Sequence, residues 1–388
     1  MKKIIAMAIS VALIIGCLAG CSSSTSDNKG TKETTDVSSK ANNDGETEAK
    51  SDSGSSINYV DLSGQNIYVG VTTGGSGSAW RQQMTDDITN VLDEYKASGD
   101  IKGYKVVNNT TNGDANEQAG IIRNFIDDPD VNLILVNPND ATSLNEAILD
   151  AEAAGKLVVV YDASITAKGI LNVSVDHYNY AYGPTKTLCD IIGGKGTVVE
   201  ISGLDGHPAN VVRIKATDAA LAEYPNVKLA QNLPGGWDNT TSKSVMASIL
   251  AAGIVPDGVI SQDNGCYGVL QACVDAGIIP KVVSGDGSKP FFEEWKRLRD
   301  EEGYDFNSVV VPNPPGISAT ATRIAVKMAQ GRHLDESLIK DGTYYYSVNT
   351  VYTNENFDKG WEVVKDFTDE QCIDEFLTDE QAEALFVD

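Results

Sequence analysis

The sequence predicts an α/β protein built from two Rossmann-like, doubly wound lobes. From residue 57 onward, short runs rich in valine and isoleucine alternate with helical patterns. Apolar strands that alternate with helices are typical of a parallel sheet covered on both faces. The pattern repeats in a second half of the chain, and 388 residues are enough for two domains of ordinary size.

The first twenty residues have the pattern of a signal peptide. Lys2 and Lys3 precede an apolar run that is too short for a normal transmembrane helix, and LAGC follows at residues 18–21. LAGC resembles a lipoprotein signal box, which implies cleavage before Cys21 and lipidation of its thiol. The alternative is an ordinary secretory peptide that is cut elsewhere.

Residues 21–56 are predicted to be the lipidated cysteine and a disordered linker. Val37 is the only large apolar residue between positions 22 and 56. Such a stretch cannot bury enough surface to offset the entropy lost on ordering. We therefore expect a flexible tether before a folded domain at residues 57–388.

Seven apolar runs within that domain are predicted strands: NIYVGV, NLILVN, KLVVVYD, GTVVEIS, DGVISQD, KVVSGD and SVVVPN. Helical patterns lie between most of them. One has apolar residues spaced by three and four from Met84 to Tyr95, and another ends at a glycine stop, Gly155.

Two stretches of this domain resemble each other, which predicts two similar lobes. In each, a strand ends in Asn or Asp, a helix closes on Ala-Gly, and the next strand ends at Asp162 or Asp286. The binding edge of a doubly wound sheet lies at the carboxyl ends of its strands. Two such edges that face each other make a cleft, where ligand pockets form preferentially.

Charge and composition exclude several classes of partner. The net charge is −25 and the isoelectric point is about 4.4. A nucleic-acid partner requires a basic stripe, and docking on anionic lipid requires a polybasic patch. We expect neither kind of interaction.

The cysteines and histidines do not form a recognisable metal or catalytic pattern. Cys189, Cys266, Cys273 and Cys372 are widely spread, no CxxC occurs, and the chain has three histidines. A Cys/His zinc site is therefore not expected, and the four cysteines are predicted to be buried free thiols. The histidines fit no Ser-His-Asp order, and no cofactor is expected.

The loop GGSGSAWRQQM, residues 74–84, is the strongest local candidate for a binding site. It lacks the lysine of a P-loop and the third glycine of a dinucleotide fingerprint. Ser78 is a predicted N-cap, so free backbone N–H groups begin the helix. Trp80 offers a flat apolar face and Arg81 a fork of hydrogen-bond donors. From the residues alone, Trp80 fits the helix core equally well.

The order and spacing of several stretches resemble the type I substrate-binding proteins of ABC importers, and the ribose- and galactofuranose-binding group in particular. The resemblance covers residue 57 to about 350. It rests on GSGSAWRQQM, NPNDATSLNEAI, VVVYDAS, NVSVDHY, SVMASILAA, ISQDNG and VVSGDG. It implies a monomer, anchored by lipid on the extracytoplasmic face of the membrane, that delivers a sugar or polyol to ABC permease subunits.

The resemblance also implies a set of ligand-binding residues: Trp80, Arg81, Asp162, Arg213, Trp237, Asp263 and Asp286. Each has a structural alternative. The aspartates favour helix caps and turns, Trp237 fits a surface position, and Arg213 fits a solvated helix position. Asp140 in NPND is interpreted as an N-cap only.

The resemblance further implies a hinge of three crossings, near Asp176, Asn313 and Ser347. Lobe one would comprise residues 57–176 and 313–346, and lobe two residues 177–312 and 347–388. Two positions depart from the ribose binders: Ala163 replaces an arginine, and Pro312 a glutamine. Both put ribose itself in doubt, but they leave the class of neutral polyhydroxyl ligand unchanged.

Three functions remain open from the sequence. The chain could be the capture protein of an importer, a sensor that reports ligand to a membrane receptor or kinase, or an enzyme on the same fold. The absence of a nucleophile–base pattern disfavours the enzyme. Importer and sensor cannot be distinguished from this chain.

Overall fold

Most of the described strands form two separate and largely parallel sheets, which confirms the predicted α/β class. The computed structural model describes residues 57–75, 78–110, 113–346 and 350–387. The predicted signal peptide, the lipidated Cys21 and the linker lie at residues 1–56, outside the described residues.

Each of the seven predicted strands is present. The fourteen strands of the described chain are β1 Tyr68–Thr73, β2 Gly103–Val106, β3 Leu133–Asn137, β4 Leu157–Tyr161, β5 Leu171–Val175, β6 Lys195–Ser202, β7 Asn226–Pro234, β8 Gly258–Ser261, β9 Val282–Gly285, β10 Asn307–Val310, β11 His333–Leu334, β12 Ile339–Lys340, β13 Thr343–Tyr346 and β14 Phe386–Val387.

Helices connect most of these strands. The eleven α-helices of the described residues are α1 Ala79–Ser98, α2 Ala115–Asp127, α3 Asn145–Ala153, α4 His177–Ile191, α5 Pro208–Leu221, α6 Asn239–Ala251, α7 Gly265–Asp275, α8 Lys289–Lys296, α9 Ile317–Ala329, α10 Phe357–Val364 and α11 Asp379–Glu383. Within these ranges, no helix combines the length and apolar character needed to cross a membrane.

The first sheet has seven strands in the order β12-β13-β5-β4-β3-β1-β2, and all its pairs are parallel except β12 with β13. Helices α1, α2, α3 and α9 pack on it or on one another. We call this sheet and its helices the first lobe. As predicted, Met84 and Ile88 of α1 are buried in its core.

The second sheet has five parallel strands in the order β10-β9-β8-β6-β7. Helices α4 to α8 and α10 pack around it, and we call this unit the second lobe. Cys266 and Cys273 belong to its core, and Cys189 and Cys372 are also buried. The four thiols therefore lie where the sequence predicts them.

The chain passes between the lobes at the first two predicted crossings. The first follows β5, where Asp176 caps α4 through the backbone N–H of Asn179 at 3.0 Å. The second lies between β10 and α9 and contains Asn313. The third predicted crossing, near Ser347, falls on residues 347–349, outside the described residues.

A return of the chain to the first lobe was not predicted. After Tyr352 pairs with Val310 in the second lobe, the chain reaches β14, which pairs with β11 beside the first lobe. Helix α11 is held there because Lys327 of α9 lies 3.0 Å from Asp379. The C-terminal part of residues 347–388 thus contacts the first lobe, whereas the predicted boundary places all of these residues in the second.

The carboxyl ends of the central strands from both sheets lie at the junction of the lobes. Strand β4 is followed by Asp162, β6 by the loop to α5, and β8 by Asp263. Loops that follow parallel strands carry the binding residues of doubly wound folds. This arrangement brings polar side chains from both lobes toward one space.

Candidate functional site

A cavity of about 250 Å³ lies between the two lobes. Both lobes and the second crossing contribute side chains to it. The lining residues are Ser78, Trp80, Arg81, Asp162, Leu204, His207, Ala209, Arg213, Gly236, Trp237, Asp238, Asp263, Asn264 and Asn313. Six of the seven residues predicted from the sequence are among them, and Asp286 is not.

The first-strand loop positions Trp80 and Arg81 at the cavity. Ser78 is the N-cap of α1 and accepts a hydrogen bond from the backbone N–H of Arg81 at 3.3 Å, as predicted. Trp80 is half-buried, packs against the first-lobe core, and donates from Nε1 to the carbonyl oxygen of Asn313 at 2.7 Å. Its indole therefore has both of the roles that the sequence left open, a core contact and a cavity wall.

Asn137 connects the charged groups of the first lobe. It ends β3, accepts a hydrogen bond from Nη1 of Arg81 at 2.9 Å, and donates to Oδ2 of Asp162 at 3.1 Å. Burial raises the pKa of Asp162, and the nearby guanidinium of Arg81 opposes that shift. Asn137 thus links the carboxylate and the guanidinium at the cavity wall.

Arg213 is the corresponding cation of the second lobe. It projects from α5, is only 1% exposed, and forms an ion pair with Asp263. Its guanidinium carbon lies 4.0 Å from the ring centroid of Tyr180, whose hydroxyl donates to Oδ1 of Asp263 at 2.6 Å. The burial excludes the alternative of a solvated helix arginine.

Trp237 forms part of the second-lobe side of the cavity. Its Nε1 donates to Oε1 of Gln262 at 3.1 Å. A β-carbon on Gly203 would lie 2.1 Å from the indole, so the glycine leaves the space that the ring occupies. Trp237 is half-buried, and the surface alternative is therefore only partly correct.

Backbone strain is concentrated at this cavity. Asp162, Trp237 and Asp263 have φ angles of 66°, 56° and 44°, and Asp341 is the fourth non-glycine residue with positive φ in the described chain. Aspartate tolerates this region, but for a bulky residue such as tryptophan it is an outlier. Such strain persists only where the surroundings fix it, and it clusters at ligand clamps and active sites.

The carboxylates of Asp286 and Asp140 accept hydrogen bonds from backbone N–H groups. Asp286 accepts from the N–H of Ser288 at 3.0 Å and of Tyr267 at 3.2 Å, and burial raises its pKa to about 6. Asp140 accepts from the N–H groups of Thr142 and Ser143, in a turn before α3. Both carboxylates are thus engaged by backbone N–H groups, and a ligand contact for Asp286 stays a prediction.

The sequence did not predict the other eight lining residues as parts of the site, namely Ser78, Leu204, His207, Ala209, Gly236, Asp238, Asn264 and Asn313. His207 ends the loop after β6 and is 3% exposed, whereas Asn313 lies in the second crossing. A single histidine in a glycine- and aspartate-containing loop carries no signal of burial. The place of His207 at the cavity can be recognised only in the folded structure, where both lobes contribute to the walls.

The fixed charges around the cavity nearly cancel. Arg81 lies beside Asp162, and Arg213 beside Asp263. Asp238 also lines the cavity, but its carboxylate caps α6 through the N–H of Thr241 at 2.7 Å, where the helix dipole favours negative charge. The site therefore presents donor forks and carboxylate acceptors without a strong net field.

Comparisons with known proteins place this architecture in a family. Residues 69–333 match a family model described as a periplasmic binding protein domain. A solved structure described as an ABC transporter solute binding protein, from Thermobispora bispora, has a TM-score of 0.73 at 26% identity. The alignment covers 82% of this chain and 94% of that one.

Two curated relatives are named for small polyhydroxyl compounds. A xylitol-binding protein of Mycolicibacterium smegmatis is 28% identical over 189 residues, which cover 48% of this chain and 53% of that protein. A D-apiose import binding protein of Paraburkholderia graminis is 27% identical over 202 residues, which cover 50% and 64%. The chain thus spans about half to two thirds of the length of these relatives.

Proposed function

The chain belongs to the family of periplasmic binding protein domains, and from this premise we propose that it captures a neutral sugar or polyol between its lobes. It would then deliver this solute to an ABC transporter. The role is binding without chemistry, on the extracytoplasmic side of the membrane. The cavity is slightly smaller than the roughly 300–1,000 Å³ pockets of drug-sized ligands, which favours a ligand of monosaccharide size.

The observation that carries this proposal is that two of the cavity carboxylates each have an arginine as a neighbour. Asp162 is neighboured by Arg81, and Asp263 by Arg213, so a ligand need not supply a charge of its own. A sugar acid or an amine would leave one of these pairs unbalanced. Hydroxyl groups both donate and accept, and they can engage carboxylates and guanidinium groups together.

The aromatic residues support the same class of ligand. Trp80 comes from the first lobe and Trp237 from the second, and both line the cavity. Their flat faces suit the C–H surface of a sugar or polyol. The names of the curated relatives, which refer to xylitol and D-apiose, agree with this size and chemistry.

Closure of the lobes and a lipid anchor complete the proposal. The crossings at Asp176 and Asn313 join the lobes beside the cavity, so rotation about them would open and close it. Cys21, in the signal box LAGC, would carry the lipid that holds the protein at the membrane. The lobe boundaries and the anchor remain predictions.

A thermal-shift screen with purified protein tests this function. Xylitol, D-apiose, D-ribose and myo-inositol are compared with the charged compounds D-gluconate and D-glucosamine. A compound that binds only the folded state stabilises it, by about 2.7 kcal/mol at 100 times its Kd. We expect stabilisation by at least one neutral compound. Stabilisation by a charged compound alone would contradict the proposal.

A further inference from the structure

His207 is a buried histidine at the cavity that the predicted ligand set did not include. It is the N-cap of α5, and its Nδ1 accepts a hydrogen bond from the backbone N–H of Ala209 at 3.3 Å. The imidazole also meets the indole of Trp237 edge to face, with ring centroids 4.9 Å apart. These two contacts fix the position of the ring.

The helix cap determines which imidazole nitrogen carries the proton. A nitrogen that accepts a hydrogen bond has a free lone pair, so in the neutral ring the proton is on Nε2. Among the described residues, Nε2 of His207 is buried without a hydrogen-bond partner. Buried polar groups are nearly always paired, so this orphan donor requires an explanation.

The surroundings keep this imidazole neutral. Burial, together with the nearby guanidinium groups of Arg81 and Arg213, lowers the pKa of His207 to about 3. At neutral pH the ring therefore has one distal N–H donor and no charge. It can bind an oxygen acceptor, and it disfavours an ammonium group, which has no lone pair to offer.

A second orphan lies on another wall of the same cavity. Oδ1 of Asn313, in the second crossing, is buried and has no hydrogen-bond partner among the described residues. Two residues that line the cavity thus each have an unpaired polar atom, a donor on His207 and an acceptor on Asn313. A ligand with several hydroxyl groups satisfies both needs, because each hydroxyl accepts and donates.

We propose that His207 is a specificity-determining residue, which donates its Nε2–H to a hydroxyl oxygen of a neutral ligand in the cleft. This inference rests on the proposed function and adds to it a named contact in the second lobe. A site built to hydrogen-bond an oxygen rejects analogues that lack it, because its buried donor is then left unpaired. His207 would thus select for the oxygen that it faces.

Two substitutions separate this role from the helix cap. His207→Asn places an acceptor near the position of Nδ1 and keeps a favoured N-cap residue, but it lacks the distal donor. His207→Gln carries a distal N–H donor but is a poorer cap. We expect His207→Asn to retain the melting temperature while its affinity falls roughly 10- to 100-fold. His207→Gln should show the reverse pattern.

The probe is whichever of xylitol, D-apiose, D-ribose and myo-inositol stabilises the wild-type protein most, titrated by calorimetry. Wild-type affinity in folded His207→Asn would overturn the inference and leave the proposed function intact. If none of the four binds the wild-type protein, the proposed function fails and the inference fails with it.

Nitrogen NMR of the wild-type protein provides a test that needs no variant. With ¹⁵N-labelled histidine, the probe should shift the Nε2 resonance of His207 and slow exchange of its proton with water. A bound probe that leaves this resonance and its exchange rate unchanged would also overturn the inference.

Discussion

Nδ1 of the His177 imidazole lies 3.1 Å from Nη2 of Arg213. Nε of the same guanidinium also donates to Nδ1, at 3.3 Å. The proton of the neutral ring is therefore on Nε2, which donates to the carbonyl oxygen of Asp162 at 3.1 Å. Through this ring, the cation of the second lobe is joined to the backbone of the first lobe, beside the ligand cavity.

The two buried histidines should make the protein less stable in acid. Burial and Arg213 hold the pKa of His177 well below its usual value, and the pKa of His207 is lowered to about 3. The unfolded chain takes up protons near pH 6.5 and the folded chain does not, so stability falls as pH drops below that value. Between pH 7.5 and 5.0, each histidine should lower the free energy of unfolding by about 2 kcal/mol.

Chemical denaturation of wild-type protein and His207→Asn at these two pH values checks this prediction. Buried acids such as Glu200, whose pKa is raised to about 8, act in the opposite direction. They are the same in both proteins and cancel in the comparison. Between the two pH values, the free energy of unfolding of the wild-type protein should fall by about 2 kcal/mol more than that of the variant. An identical pH dependence would contradict the prediction.

Asp162→Asn and Asp286→Asn should have different effects. Asn tolerates the positive φ of Asp162, so that variant should fold normally, but loss of its charge should weaken probe binding by tenfold or more. Asp286→Asn removes charge-assisted bonds to two backbone N–H groups and should lower stability by about 1–2 kcal/mol. Calorimetry and thermal melts distinguish the two effects. Equal loss of affinity in both variants would contradict this difference and support Asp286 as a ligand-binding residue.

Gly203→Ala should disturb binding through Trp237. The added β-carbon would lie 2.1 Å from the indole, so the ring must move. We expect about a tenfold loss of affinity, since aromatic anchors carry much of a binding energy. Gly206→Ala is the matched control from the same loop. Its β-carbon meets nothing within 4 Å, although its φ of 76° is strained, so it should affect stability and not affinity.

Cys21→Ser tests the anchor. If the thiol of Cys21 is lipidated, the variant should leave the membrane fraction, because it lacks the group that would carry the lipid. Ligand affinity should not change, since the cavity lies within the folded domain. Fractionation of cells followed by immunoblotting measures the distribution. A variant that stays with the membrane would contradict the lipoprotein interpretation.

Burial on both faces explains which strands could be predicted. The seven predicted runs are rich in valine and isoleucine and lie mainly within the two sheets. Strands β2 and β7 are at sheet edges, and many of their residues are only partly buried, so their sequences lack an apolar run. In β5 all residues are buried, but Asn172 and Ser174 interrupt the apolar pattern.

The site could be predicted where a local signal coincided with a strand end. Ser78 as a cap, with Trp80 and Arg81 in the first helical turn, follows from the local pattern. Asp162 and Asp286 both follow a strand, yet the carboxylate of Asp286 already accepts hydrogen bonds from neighbouring backbone N–H groups. That difference depends on where Ser288 and Tyr267 lie in the folded second lobe. The path of the C-terminal segment depends in the same way on Lys327, whose partners are distant in sequence.

Calorimetric titration of the tryptophan variants tests most directly whether a neutral polyhydroxyl compound binds between the lobes. The probe is the neutral compound that stabilises wild-type protein most. Trp80→Ala and Trp237→Ala should each weaken its binding by about 1–3 kcal/mol, by analogy with buried aromatic anchors. Trp361→Ala, which alters the second-lobe core away from the cavity, should bind normally. Wild-type affinity in both cavity variants, provided that they are folded, would place the ligand elsewhere and contradict the proposed site.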